Sequence, residues 1–140
     1  YYEYERNMIR STTMTIDSYI VDEEHSLEKE LNFLVIGDFG YVNEPVTQTL
    51  ANLMYDKVKK TFIQYDFIVS VGDNIYQKGV EKPNDPKPQK LFEEVFKMNE
   101  LGLDWYPVVG NHDCSGNLQE TFKLPKQFPY WKQEQPYYKK

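Results

Sequence analysis

The sequence predicts an α/β fold, built as βαβαβ around a parallel sheet. Three observations carry that expectation. Short apolar runs in "LNFLVIGDFG", "YDFIVSVGDN" and "LDWYPVVGNHD" alternate with two stretches of helical periodicity. The runs are nearly continuous in apolar residues, as strands covered on both faces are. Each run ends in glycine followed by a polar residue: Gly37-Asp38, Gly72-Asp73 and Gly110-Asn111-His112-Asp113.

The elements follow in chain order. In "STTMTIDSYIV" the residues Met14, Ile16 and Ile20 partly alternate, which suggests an edge strand. "DEEHSLEKE" reads as a solvated linker or short helix. The first strand of the repeat lies in "LNFLVI". A helix is expected from Val46 to Phe62, with Leu50, Leu53, Met54 and Val58 on one buried face. The second strand lies in "YDFIVSV". "EKPNDPKPQK" has three prolines and is expected to be irregular. "QKLFEEVFKMNEL" reads as an amphipathic helix with Leu91, Phe92, Val95, Phe96 and Met98 inward. The third strand begins at Trp105 and Tyr106, read as core. The tail "FPYWKQEQPYYKK" reads as the start of a hairpin. Its Tyr130, Trp131, Tyr137 and Tyr138 suit the core of a further half of the fold outside these residues, or an interface.

The bulk numbers bound the function. A chain of 140 residues is one domain's worth, and 40 % hydrophobic with 27 % charged residues is an ordinary globular composition. No apolar run approaches the ~20 residues a membrane helix needs. The net charge of −6 is uneven. Residues 1–30 hold three basic and eight acidic side chains, or −5, which leaves −1 for residues 31–140. An acidic chain with no arginine after Arg10 is a poor nucleic-acid binder. The single cysteine, Cys114, has no internal disulfide partner and reads as a passive small residue. The chain opens on Tyr1 without a visible signal peptide, as a processed or partial chain does. Residues 1–30 therefore read as an acidic N-terminal arm that suits docking on a partner, and residues 31–140 as the folded unit.

Ligands of open α/β sheets bind beyond the carboxyl ends of the strands. Asp38 and Asp73 are 35 positions apart, and Asp73 and Asn111 are 38 apart, each about one βαβ unit. Their side chains should therefore converge on one rim. A single Gly-Asp at a strand end is ordinarily a turn glycine with a capping aspartate. Three in register, the last extended to Asn-His-Asp, point to metal or catalytic chemistry. Carboxylates, an amide oxygen and one imidazole suit magnesium, manganese, iron or zinc. Two close cations need an anionic bridge, which Asp73 on the middle motif could supply. "Asp-Phe-Gly" at residues 38–40 also spells a kinase motif, but the upstream catalytic loop and lysine strand of a kinase are missing from residues 1–37.

Taken together, "GDFG", "GDNIY" and "GNHD" resemble the first three motifs of the calcineurin-like metallophosphoesterases. Among these they look most like the purple acid phosphatases of the small tartrate-resistant type. Most of the superfamily carries a histidine two residues after the first aspartate; here that position is Gly40. The purple acid phosphatases instead supply a tyrosine three residues after the second aspartate; here that is Tyr76. The resemblance covers residues 31 to about 138 and implies the N-terminal βαβαβ half of a four-layer α/β/β/α metallophosphoesterase sandwich. It implies that Asp38 and Tyr76 bind Fe(III), that Asp73 bridges, and that Asn111 binds a divalent Fe, Zn or Mn. It implies that His112 orients the phosphate or protonates the leaving oxygen. Asp113 would hold the His112 ring, and Asn74 would have a supporting role. The implied reaction is hydrolysis of phosphate monoesters by an acid phosphatase with a dinuclear centre.

The resemblance also implies three further histidine ligands. This chain has only His25, read as solvated, and His112. The 140-residue chain is therefore expected to be inactive alone, with one sheet face uncovered. A longer chain or a second chain would complete the fold. The alternative is a catalytically inactive phosphatase-fold protein serving as a structural component of an assembly. The family is often secreted or endolysosomal, a compartment that one cysteine and the missing signal peptide weakly oppose.

Overall fold

The computed structural model describes residues 10–14 and 30–138. His25, Ile16, Ile20 and most of the "DEEHSLEKE" stretch lie outside the described residues. The three apolar runs form three parallel strands: β2 (Leu31–Ile36), β3 (Phe67–Ser70) and β4 (Asp104–Pro107). A further strand, β1 (Arg10–Met14), pairs antiparallel with β2, so the sheet order is β1-β2-β3-β4. β1 is the edge strand expected in the Thr-rich segment. The α/β architecture read from the sequence is the one observed.

Helix α1 (Pro45–Lys59) joins β2 to β3. Proline at its first turn loses no hydrogen bond, because the first N–H groups of a helix have no partner within it. Its buried stripe is Thr47, Leu50, Ala51 and Met54, with Val58 packed at the margin. Leu53, expected inside, is 52 % exposed, because it falls on the flank of that stripe.

The connection from β3 to β4 departs further from expectation. The proline-rich loop is half helical. Asp85 caps α2 (Pro86–Gln89) by accepting the Lys87 N–H at 3.0 Å, and two of the three prolines, Pro86 and Pro88, sit in its first turn, where they are tolerated. The chain continues as a π-helical turn, Lys90–Val95, then breaks at Lys97 in the left-handed region before α3 (Met98–Leu101). The single amphipathic helix read from "QKLFEEVFKMNEL" is thus two pieces. All five predicted inward residues are nevertheless buried.

After β4 come three one-turn helices: α4 (Asn111–Cys114), α5 (Leu118–Thr121) and α6 (Leu124–Gln127). The tail is no hairpin among the described residues. Trp131 instead makes a parallel bridge to Trp105. Trp131 is fully buried and stacks on Phe92 at 4.5 Å between centroids, so it belongs to this core. That core joins one face of the sheet (Leu34, Ile36, Ile68, Trp105) to Met54, Phe92, Phe96 and Trp131. No helix is long and apolar enough to cross a membrane among the described residues.

Candidate metal centre

The three strand ends hold the predicted residues on one rim. Asp38 follows β2, Asp73 follows β3, and Asn111 opens α4 after β4. Asp38 and Asp73 both adopt left-handed backbone, with φ of 55° and 51°. Aspartate tolerates this region better than most residues, and such strain gathers at functional sites. The loops are tied together by the Asp38 N–H, which donates to the Gly72 carbonyl at 3.2 Å.

Three oxygens converge. The Tyr76 hydroxyl lies 2.9 Å from Asp38 Oδ1 and 3.1 Å from Asp73 Oδ2, so two carboxylates share its one proton. Burial pushes the Tyr76 phenol well above its ordinary pKa, and the hydrogen bonds and charges of Asp38 and Asp73 push it further. The opposite oxygen of Asp73, Oδ1, accepts the His112 N–H at 3.0 Å. Asn111 thus stands between Gly110 and His112, whose backbones both lie against the Asp73 carboxylate. Gly110 is obligatory there, because a Cβ would sit 2.1 Å from Asp73 Oδ1.

Gly40 has an equally physical reason. A Cβ at this position would meet the Asn74 carbonyl oxygen at 2.3 Å, and the Gly40 carbonyl accepts the Tyr76 N–H at 3.0 Å. The chain that carries Tyr76 fills the space a side chain at residue 40 would need.

The environment of His112 differs from the sequence expectation. Its ring Nδ1 lies 2.7 Å from the Gln77 carbonyl, and no carboxylate among the described residues holds it. A carbonyl only accepts, so Nδ1 carries the proton and donates. The ring also packs 4.3 Å from the Tyr76 ring. Asp113, expected to orient the ring, is 1 % exposed and turned inward. It accepts the backbone N–H groups of Gly110 (2.9 Å), Asn74 and Ile75 (each 3.0 Å) and the Asn74 side-chain amide (2.9 Å). Burial raises the Asp113 pKa, while those N–H donors pull it back. Asn74, also 1 % exposed, donates to the Val108 carbonyl at 2.7 Å and accepts from the Ser70 hydroxyl. Asp113 and Asn74 therefore clamp the β3 and β4 loops beneath the rim.

Sequence reasoning missed Tyr41 and Gln77. Tyr41 stacks on Tyr76 with centroids 4.0 Å apart and planes 7° from parallel. A signal existed: Asp38-x-x-Tyr41 repeats the spacing of Asp73-x-x-Tyr76. Gln77 acts through its backbone, which no side-chain pattern announces.

No three His, Cys, Asp or Glu side chains cluster as a metal site among the described residues. The convergent donors are two carboxylates and a phenol, hard oxygen ligands that fit a hard cation such as ferric iron. The donor set fits part of a metal centre and leaves the remaining ligands to other residues.

An α/β half-domain with Gly-Asp, Gly-Asp and Gly-Asn-His-Asp on one rim defines a phosphoesterase architecture, and the calcineurin-like phosphoesterase profile matches residues 31–140. The chain belongs to that family. It is 35 % identical over 113 residues to tartrate-resistant acid phosphatase type 5 of Rattus norvegicus, covering 78 % of this chain and 35 % of that protein. The human protein of the same name is 34 % identical over the same shares. Purple acid phosphatase 7 of Arabidopsis thaliana is 36 % identical over 100 residues, 69 % of this chain and 30 % of its own length. The chain spans about a third of the length of these curated relatives.

Proposed function

We propose that the complete protein is a metal-dependent acid phosphatase of the purple type that hydrolyses phosphate monoesters. The observation that carries this reading is the meeting of Asp38, Asp73 and Tyr76 oxygens beside His112. In this reading Asp38 and Tyr76 hold Fe(III), Asp73 bridges, and Asn111 holds a divalent Fe, Zn or Mn. When bound, the two cations supply Lewis acidity toward the phosphoryl group and lower the pKa of water.

The chain's own residues do the rest. The proton that Tyr76 now shares with the two carboxylates would leave to solvent, freeing all three oxygens to face a cation. With Nδ1–H committed to the Gln77 carbonyl, Nε2 is the His112 ring atom that takes up a proton from solvent and passes it to a leaving oxygen, for roughly 10²–10⁴-fold in rate. Asp113 and Asn74 hold the Asn111-His112 turn against Asp73. Residues 31–140 are the first half of the phosphoesterase unit, and β1, which lies within the acidic first 30 residues, pairs on the sheet edge. The chain's two histidines are His25 and His112, so three histidine ligands come from outside these residues and the chain alone is inactive.

The test is the full-length protein loaded with iron. Wild type should hydrolyse an aryl phosphate and show a visible tyrosinate-to-iron band. Tyr76→Phe should abolish the band, and Asp73→Asn should lower metal content and activity together. A colourless wild type that fails to hydrolyse the ester, with Asp73→Asn binding metal equally well, would replace this reading with the inactive assembly component.

A further inference from the structure

A groove of about 430 Å³ lies between Tyr76 of the candidate centre and the start of α2. Cavities that take small organic ligands are roughly 300–1,000 Å³. Tyr76 and Gln77 line it and also touch Asp38, Asp73 and His112, so the groove adjoins the centre. Its charged lining groups are Lys87, Lys90 and Glu44. We propose that this groove receives the alcohol part of the phosphate ester, and that Lys90 selects flat aromatic alcohols carrying a second anionic group. The proposal rests on the phosphatase reading.

The two lysines are not equivalent. Lys87 is neutralised locally, with Nζ 2.8 Å from Glu81 and 3.5 Å from Asp85. Lys90 Nζ donates at 2.7 Å to the Asn43 side-chain oxygen, a neutral group. No carboxylate lies within 4.0 Å of it among the described residues. Its charge is therefore positioned without a direct ion pair, with Glu44 the one carboxylate that shares the groove lining. Its base is fixed as well, because the next two residues, Leu91 and Phe92, are 0 % exposed. Nearer the centre, Tyr41 stays 38 % exposed while stacked on Tyr76, which offers a flat apolar plate to a ring. A ring seated on Tyr41 and an anion facing Lys90 together describe the ligand.

The experiment is calorimetric binding of non-hydrolysable phosphonates to the full-length, metal-loaded protein. The probes are benzylphosphonate and its 3-carboxy and 4-carboxy derivatives. At least one carboxy derivative should bind about three- to fivefold tighter than benzylphosphonate, the scale of a solvent-accessible ion pair. Lys90→Gln should erase that advantage and leave benzylphosphonate unchanged, while Lys90→Arg retains it. If neither carboxylate helps, or if Lys90→Gln weakens all three probes equally, the selectivity of Lys90 is overturned while the phosphatase reading stands. If wild type binds none of the three, both fall together.

Discussion

Asp113 shows how much of the site is scaffolding. It is a buried carboxylate with its oxygens taken by four N–H donors from two different loops. Asp113→Ala would leave those donors unpaired in the interior. The expected loss is about 3–5 kcal/mol of unfolding free energy by urea denaturation, the scale of breaking a buried charged network. Asp113→Asn, which keeps one acceptor oxygen, should lose less. A loss under about 1 kcal/mol for the alanine variant would mean that the loops hold together without the clamp. The residue types at the rim were legible in the sequence because spacing and fold class place strand ends together. The inward turn of Asp113 was not, since nothing in "GNHD" says whether its carboxylate faces the neighbouring ring or the backbone below. Gly40 was legible only as a missing side chain. Its reason, the Asn74 carbonyl where a Cβ would go, needs three dimensions.

At the scale of elements, local chemistry explains both what could be read and what could not. α1 and the three parallel strands were visible because apolar periodicity is a strong signal over long segments. The proline-rich stretch looked irregular because proline is usually a breaker. Asp85 reverses that by capping a helix whose first turn needs no N–H. The break at Lys97 is carried by a lysine at φ 49°, where a glycine would have announced it. Asp85 also sets a pH dependence. Burial works against its charge, but the N–H groups of Glu81 and Lys87 and the Lys87 ammonium outweigh it and lower its pKa. A lowered folded-state pKa contributes stability that is present above the unfolded value and lost as pH falls through the folded one. Asp85→Ala should therefore cost about 1–2 kcal/mol above roughly pH 5, and the gap from wild type should close in more acid solution, below about pH 4. Melting temperatures of the two proteins across that range decide it. A gap that persists unchanged into acid would show that the carboxylate's charge contributes nothing to the cap.

The whole molecule is asymmetric about its sheet. On one face Leu34, Ile36, Ile68 and Trp105 are 0–1 % exposed beneath the helices. On the other, Phe33, Val35, Val69 and Tyr106 are only half-buried. That second face carries an aromatic row: Phe33 stacks on Phe67 at 5.0 Å, Phe67 meets Tyr106 edge-on at 5.6 Å, and Tyr138 stacks on Tyr106 at 6.3 Å. Parallel strands with nearly continuous apolar runs belong in sheets covered on both sides. The relatives are about three times as long as the stretch matched here. Val69→Thr probes this directly, because it keeps the shape and adds a hydroxyl. Beneath a second layer in the full-length protein, an unpaired hydroxyl should cost about 1–3 kcal/mol by urea denaturation. On a water-facing surface the same change should stay within about 0.5 kcal/mol. The larger loss, together with slow exchange of the Val69 amide, would place β3 at the centre of a two-sided core. A change within the smaller range would mean that the aromatic row faces solvent in the full-length protein too.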